Sequence, residues 1–386
     1  MTGLGCSDMI GHAFLAGLLG LHLPLAPAIA PEKCQPPRGS MQVGESWAQQ
    51  RLDPRRVWSL STGAGVSVAI IDSGVDLTHP QLRVAGKADL TRTGIRDCVG
   101  HGTAVAGIIG ARHVKGVPFY GMAPEARLLV YKQTNAERDG DPDLLVRAIK
   151  SAADVGAKVI NVSVSTSDQP ALRQAVAYAL AKDSLIVAAA GNIKKEDGTP
   201  IPDYPASYEG VLAVGAAGPN GRLSDFSNVK TPVAVLGPGQ GVTSTWPGRS
   251  YFKDLRGTSY AAPYVAGVAA LVRARFPSLD QAQVLKRIVT TADGVASGGK
   301  AGMVNPMLAV SAILPFEPAN APVVAPPPLS PLPAGVVTQA PPVDHDAIRL
   351  ALLVAGLGMG LGLLVVVTRA VIPMGHRRGW RAGRDD

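Results

Sequence analysis

Four short segments of the chain carry polar side chains of types that work together in acyl transfer. Asp72 ends an apolar run in "VAIIDSG", and Asn192 follows another in "LIVAAAGN". His101 lies between two glycines in "VGHGTAVAG", and Ser259 stands in "RGTSYAAPYVAG", each ahead of an apolar segment. A serine hydroxyl becomes an effective nucleophile only when a base removes its proton, and the pKa of histidine suits that task near neutral pH.

Spacing and chain order strengthen this interpretation. A buried aspartate would fix the tautomer of the imidazole and stabilise its charged form. At a helix start, backbone N–H groups and the helix dipole favour the negative charge that develops when a serine attacks a carbonyl. Each segment alone has a plain structural explanation, as a turn aspartate, a tight turn or a helix N-cap. Together, in the order Asp72, His101, Ser259, they match one of the chain orders of a Ser–His–Asp triad.

Alternating strands and helices must position these side chains. From residue 65 to about 314, helical segments such as "PDLLVRAIKSAADVGA" alternate with nearly all-apolar runs: "VSVAIID", "ARLLVYKQ", "KVINVSVS", "LIVAAAGN" and "VLAVGAA". Strands that are covered on both faces have this composition. The alternation predicts an α/β fold with a parallel sheet. In such a sheet, sites form at the carboxyl ends of the strands, where Asp72 and Asn192 stand.

Both ends of the chain are apolar. Residues 9–30, "MIGHAFLAGLLGLHLPLAPAIA", predict a secretory signal peptide that is cleaved after Ala30, with an uncleaved anchor or a mis-assigned start as the alternative. Residues 350–368 carry no charge and are long enough to cross a membrane as a helix. The arginines that follow predict a cytoplasmic C-terminus by the positive-inside rule, so the bulk of the chain is expected outside the membrane.

The charge distribution argues against nucleic-acid binding. The formal net charge is +8, and the tail at 369–386 contributes five arginines against two aspartates. The rest of the chain shows no basic patch with interleaved aromatic residues, so no nucleic-acid partner is expected. None of the histidines has metal-ligand spacing, and neither a metal site nor a cofactor is expected.

The four segments resemble those of the subtilisin-like serine proteases over about residues 55–314. The resemblance implies a three-layer sandwich with a mostly parallel central sheet. It implies that Asp72, His101 and Ser259 form the catalytic triad. It also implies that the side-chain amide of Asn192 donates a hydrogen bond to the tetrahedral oxyanion.

The same resemblance implies a substrate cleft. "VINVSV" is similar to the strand that pairs with an extended substrate, with Ser163 at its centre, and Gly191 is assigned to the same cleft. The family often has glycine at the position of Ser165, where a side chain could crowd the cleft. "YPAS" resembles a turn that often carries a cis proline, here Pro205.

One departure from the family concerns calcium. Many members bind calcium through an acidic residue after "HP" and through a loop that follows the histidine helix. Here that residue is Gln81, and the loop "ARHVKGVPFYG" contains Arg112, His113 and Lys115. Hard cations prefer oxygen ligands, so no calcium is expected at this place.

The order of segments resembles the mycosins, the membrane-anchored subtilisin-like proteases of mycobacterial type VII secretion systems. The corresponding boundaries are a signal peptide at 1–30, an N-terminal extension at 31–55, a peptidase domain at 56–314, a proline-rich linker at 315–347, a transmembrane helix at 348–368 and a basic cytoplasmic tail at 369–386. In that family the extension wraps the catalytic domain and is disulfide-bonded to it. Once the signal peptide is removed, Cys34 and Cys98 remain as an even pair in an oxidising compartment, which favours a disulfide between them.

Two functions follow from this resemblance. The first is a serine endopeptidase in the cell membrane, anchored by a single span, that cleaves proteins secreted by the same system. It would act on the extracytoplasmic side and associate with the type VII membrane complex. The alternative is a mainly structural subunit that stabilises this complex. The complete set of Asp72, His101, Asn192 and Ser259 favours retained chemistry.

Overall fold

The computed structural model describes residues 34–136, 140–193, 200–294, 301–317 and 345–379. The predicted signal peptide, residues 318–344 of the predicted linker and the last residues of the tail lie outside these ranges. The chain divides into two compact units. The described residues up to 317 belong to the first unit, and the C-terminal helix belongs to the second. Each is described by itself.

The elements alternate along the chain as the sequence predicts. The strands are β1 (Ser67–Asp72), β2 (Val84–Asp89), β3 (Arg127–Lys132), β4 (Val159–Val162), β5 (Leu185–Ala189), β6 (Leu212–Ala217), β7 (Val235–Pro238), β8 (Gln240–Trp246) and β9 (Ser250–Arg256). The helices are α1 (Trp47–Leu52), α2 (Pro54–Val57), α3 (His101–Gly110), α4 (Pro142–Asp154), α5 (Pro170–Ala181), α6 (Thr258–Arg275), α7 (Gln281–Thr290), α8 (Pro306–Ser311) and α9 (His345–Arg377).

Within the described residues, a parallel sheet of seven strands runs in the order β2-β3-β1-β4-β5-β6-β7. The five predicted apolar runs are β1, β3, β4, β5 and β6. The edge strands β2 and β7 were not predicted, because β2 is half-exposed and β7 is four residues long with a glycine and a proline. An antiparallel hairpin, β8–β9, lies outside this sheet.

Helices cover both faces of the sheet. Along β1, Val68 and Ile70 belong to one buried cluster together with residues of α3 and α6. Their neighbours Ala69 and Ile71 belong to a second cluster with residues of α4 and α5. Side chains of a strand alternate between its two faces, so each face of the sheet has its own apolar core. This confirms the predicted three-layer α/β sandwich.

Helix α6 is buried along most of its length because small residues let its neighbours approach closely. Almost every residue from Thr258 to Arg273 is buried, which is expected of a helix that is apolar all round. At Gly267 a Cβ would collide with the side chain of Met122. The close packing of the rest of α6 therefore holds its first turn in place.

The segment before α1 lies against the hairpin and the loop that precedes α3. A disulfide joins Cys34 to Cys98. The indole nitrogen of Trp246 on β8 donates to the Pro37 carbonyl at 2.7 Å, and Ser40 forms an antiparallel bridge with Tyr251 on β9. The extension therefore contacts the rest of the first unit through covalent, backbone and side-chain bonds.

Helix α9 is longer than the predicted span. The apolar residues expected at 348–368 lie inside it, but the helix continues through Arg369 to Arg377. Basic residues in a last turn interact favourably with the helix dipole, so the end of the apolar stretch does not end the helix. Of the helices in the described ranges, α9 is the one long and apolar enough to cross a membrane.

Candidate active site

The predicted site residues meet at one edge of the sheet, beyond the carboxyl ends of adjacent strands. Asp72 is the last residue of β1, and Asn192 follows the end of β5 by three positions. His101 is the first residue of α3, and Ser259 is the second residue of α6. Since β1, β4 and β5 are neighbours and α3 packs against α6, side chains far apart in sequence come together here.

Asp72 and His101 form a buried hydrogen-bonded pair. The Asp72 Oδ1 and His101 Nδ1 atoms are 2.8 Å apart, and both side chains are almost fully buried. The backbone N–H of Ser73 donates to the same Oδ1 at 2.7 Å. A carboxylate on Nδ1 holds the proton there, which leaves Nε2 as the nitrogen that can accept a proton.

The His101 ring packs against the side chain of Tyr260, a residue in the first turn of α6. Its centroid is 4.9 Å from that of the Tyr260 ring, with the planes tilted by 45°. Tyr260 directly follows Ser259, so this contact lies beside the residue that the sequence predicts as the nucleophile. Ser259 is partly exposed, whereas Thr258 and Tyr260 on either side of it are buried.

Asn192 is oriented by Thr258. The Thr258 backbone N–H and hydroxyl donate to Asn192 Oδ1 at 2.9 Å and 3.1 Å, and the same hydroxyl accepts from the Gly191 N–H at 3.1 Å. Because the carbonyl end of the amide is engaged, its Nδ2 points away from Thr258. A Cβ on Gly257 would lie 3.4 Å from Asn192 Nδ2 and 3.0 Å from Ser259 Oγ, so glycine keeps this space open.

Ser163 supports the first turn of α6. Its hydroxyl donates to the Ser259 carbonyl at 2.9 Å and accepts from the side-chain amide of Asn161 at 2.8 Å. The resemblance placed Ser163 at the centre of a strand, but β4 ends at Val162 and Ser163 is the next residue. The regular ladder between β4 and β5 ends at Val162, paired with Ala188.

Ser165 and Gly191 both lie next to the carboxylate of Asp203, a residue that the sequence analysis did not identify. Asp203 accepts hydrogen bonds from the Ser165 side chain and from Asn228 Nδ2, the latter at 2.8 Å, and a Cβ on Gly191 would collide with its Oδ2. Burial raises the pKa of Asp203, against these hydrogen bonds, which lower it. The sequence feature that could have drawn attention to Asp203 is its position directly before Tyr204 and Pro205, whose peptide bond is cis as the resemblance implies.

The side chain of Gln81 forms hydrogen bonds to the loop after α3, at the place where the resemblance raised the question of calcium. Its amide nitrogen donates to the carbonyls of Arg112 and Phe119, both at 2.8 Å, and its oxygen accepts from the Tyr251 hydroxyl at 2.6 Å. Over the ranges that the structure describes, no group of three or more His, Cys, Asp or Glu side chains could hold a metal ion. The expected lack of calcium here stays a prediction.

Comparisons with known proteins agree with this geometry. A model of the subtilase family (peptidase S8) matches residues 63–308. Mycosin-1 of Mycolicibacterium smegmatis is 34% identical over 389 residues, which cover 84% of this chain and 84% of that protein. Mycosin-4 of Mycobacterium tuberculosis is 34% identical over 354 residues, which cover 74% of this chain and 78% of that protein.

A solved structure gives the same result in three dimensions. The MycP3 protease from the type VII (ESX-3) secretion system superposes with a TM-score of 0.63 at 34% identity, covering 75% of this chain and 99% of that one. The family model, the relatives that match most of the chain and the shared fold all indicate the same family. The chain belongs to the mycosins, serine endopeptidases of the subtilase family.

Proposed function

We propose that Asp72, His101 and Ser259 are the catalytic triad of this endopeptidase. The observation that carries the proposal is the 2.8 Å hydrogen bond between Asp72 Oδ1 and His101 Nδ1, made by an imidazole that packs against Tyr260, the residue after Ser259. This arrangement supports His101 as general base, because Nδ1 is committed to the carboxylate and Nε2 is left to take the serine proton.

In the proposed mechanism, Ser259 Oγ attacks the scissile carbonyl while His101 removes its proton. Asp72 keeps the proton on Nδ1 and stabilises the imidazolium. His101 then donates the proton to the leaving amine, and a water molecule, deprotonated in turn by His101, hydrolyses the acyl-enzyme. His101 then returns this proton to Ser259 Oγ as the acid product leaves, so the full turnover restores the starting protonation of the triad.

The oxyanion that forms in each step needs donors. We assign this role to Asn192 Nδ2, which lies on the far side of the amide from Thr258, and to the backbone N–H of Ser259 at the start of α6. Donors that are already held in place stabilise the transition state without reorganisation. We assign Ser163, Ser165 and Gly191 to the cleft that receives the substrate segment beside the scissile bond.

The cellular role that we propose is cleavage of secreted proteins outside the cytoplasmic membrane, as part of type VII secretion. The relatives named above are mycosins and a protease of a type VII system. A disulfide is the expected state in an oxidising compartment, which favours the extracytoplasmic side for the catalytic unit. Arg369 and Arg377 follow the apolar part of α9 and favour a cytoplasmic C-terminus.

A cleavage assay tests the chemistry. Full-length protein in detergent is incubated with a library of internally quenched peptides, and the products are identified by mass spectrometry. We expect defined cleavage sites for the wild type, loss of all of them in Ser259→Ala, and wild-type products from Ser311→Ala, an exposed serine on α8. Unchanged products in Ser259→Ala would refute Ser259 as the nucleophile.

The same variant separates the endopeptidase from the structural subunit. Cells that carry Ser259→Ala are assayed for processing of secreted proteins and, separately, for the total amount secreted. Loss of processing with normal secretion means that cleavage and support of the complex are separable tasks. Loss of secretion in cells with normal levels of the variant means that secretion depends on the chemistry itself.

A further inference from the structure

Asp97, in the loop before α3, is a fully buried carboxylate that accepts hydrogen bonds from five donors. Its Oδ1 accepts from the Ser73 hydroxyl at 2.9 Å and from the backbone N–H groups of Val99 and Gly100 at 3.0 Å and 2.7 Å. Its Oδ2 accepts from the backbone N–H and the hydroxyl of Thr103 at 2.8 Å and 2.6 Å. Three of these donors are backbone N–H groups, which can only donate, so both oxygens of Asp97 serve as acceptors here.

The carboxylate determines where α3 begins. The first N–H groups of a helix have no partner within the helix, and a side chain before it usually satisfies one of them. Gly100, at the N-cap, has no side chain to do so. Asp97 takes over this task from three positions upstream by accepting from the Thr103 N–H. The first residue of the helix that it caps is His101.

Ser73 links Asp97 to the other member of the buried pair. Its hydroxyl donates to Asp97 and accepts from the Gly102 N–H at 3.0 Å, while its own backbone N–H donates to Asp72 Oδ1. The neighbours of His101 on both sides, Gly100 and Gly102, are thereby tied to the strand end that carries Asp72. One network fixes both ends of the hydrogen bond between Asp72 and His101.

The loop is also held at the residues on either side of Asp97. The carbonyl of Arg96 accepts from Lys132 Nζ at 2.7 Å, and Cys98 is bonded to Cys34. Lys132, on β3, is the cation that faces Asp97. Burial lowers its pKa, against the attraction of Asp97 and of Asp89 on β2. The Lys132 bond fixes the loop to the sheet, the disulfide joins it to the N-terminal extension, and the Asp97 carboxylate joins it to α3.

We propose that Asp97 is a positioning residue for His101. Its carboxylate sets the start of α3 and so holds the imidazole on Asp72 and against Tyr260 of α6, without touching the reacting atoms. The inference rests on the proposed triad. Displacement of a catalytic group by about 1 Å can cost about 10²-fold in rate, so the effect belongs to kcat and not to substrate binding.

Asp97→Asn tests this role with almost no change in size. The amide nitrogen cannot accept, so part of the five-donor arrangement is lost whichever way the amide turns. Kinetics are measured on full-length protein in detergent, with the quenched peptide that the wild type cleaves fastest. We expect kcat to fall about 10²-fold with KM within about twofold of wild type. The rate of inactivation by phenylmethanesulfonyl fluoride, which needs an activated serine, is expected to fall in parallel.

Two further variants keep the test decisive. Ser73→Ala removes one donor to Asp97 and the acceptor for Gly102, and kcat is expected to fall about tenfold. Asp280→Asn is the matched control, because Asp280 also caps a helix, α7, away from the network and asparagine caps equally well. Its kinetics are expected to match the wild type. Circular dichroism and a thermal melt establish that each variant is folded at the assay temperature.

The outcomes are distinct. A folded Asp97→Asn with wild-type kcat, or with a change confined to KM, overturns the positioning role. If Asp97→Asn does not fold, Ser73→Ala decides in the same way. A wild type that neither cleaves the peptides nor reacts with the sulfonyl fluoride refutes the proposed function itself, and the inference with it.

Discussion

The disulfide between Cys34 and Cys98 yields a stability prediction whose size follows from the length of chain that it closes. The two residues are 64 positions apart. Closing a loop of that length removes about 14 cal/mol/K of entropy from the unfolded chain, which corresponds to about 4 kcal/mol at 25 °C. We therefore expect the double variant Cys34→Ser, Cys98→Ser to lose about 4 kcal/mol of unfolding free energy relative to the disulfide-bonded parent.

Loss of the disulfide should change the catalytic rate much less than it changes the unfolding free energy. The extension keeps other contacts to the peptidase part, among them the Trp246–Pro37 hydrogen bond and the ion pair between Arg51 and Asp293 at 2.7 Å. The His101 loop keeps the hydrogen bonds of Asp97, which do not involve either cysteine. We expect kcat of the double variant to stay within the order of magnitude of the parent.

Urea unfolding followed by tryptophan fluorescence measures the effect. The stability measurements use a Ser259→Ala background, which prevents digestion of unfolded chains. A reducing agent provides the control, because it should lower the stability of the parent to that of the double variant and leave the double variant unchanged. A double variant that is within about 1 kcal/mol of the oxidised parent would show that the bond does not restrict the unfolded chain as the chain-entropy argument requires.

Three further predictions concern the cleft and the span. Asn192→Ala should lower kcat by about 10²–10³, the loss known for one oxyanion donor in a subtilisin, and steady-state kinetics with unchanged kcat would exclude the assigned role. Burial raises the pKa of Asp203 in the folded state, so its charged form destabilises the fold above that pKa and its neutral form does not. The thermal midpoint of Asp203→Asn should therefore rise relative to wild type as the pH increases from about 4 to about 7, and a difference independent of pH would contradict this account. Leu357→Arg combined with Leu361→Arg, at two exposed apolar residues of α9, should add about 6–8 kcal/mol to the cost of membrane insertion and move the protein out of the carbonate-resistant membrane fraction; full retention there would argue against α9 as the anchor.

Local patterns sufficed for the buried part of the fold. The runs that became β1, β3, β4, β5 and β6 are apolar because helices cover both faces of a parallel sheet, and this composition is visible without any partner strand. The edge strands and the β8–β9 hairpin lack that signature. Their positions depend on which neighbour they pair with, and a single sequence does not contain that information in its local composition.

The residues of the site divide in the same way. Asp72, His101 and Ser259 stand in segments whose order and glycines already pointed to acyl transfer. Asp203 and Asp97 did not stand out, because an aspartate in a loop is ordinary until its partners are known. The assignment of Ser163 to the cleft stays a prediction, and its bond to the Ser259 carbonyl comes from the packing of α6 against the end of β4.

The sequence by itself determined the chemistry that is available, through residue types at strand ends and helix starts, and it determined the layered architecture, through the apolar periodicity of the elements. Only the tertiary structure decided which of the polar side chains cooperate. A hydrogen bond acts over only about 3 Å, so it depends on which residues the fold brings together. The cap of α3 brings Asp97 to Thr103, and the packing of α6 against β5 brings Asn192 to Thr258.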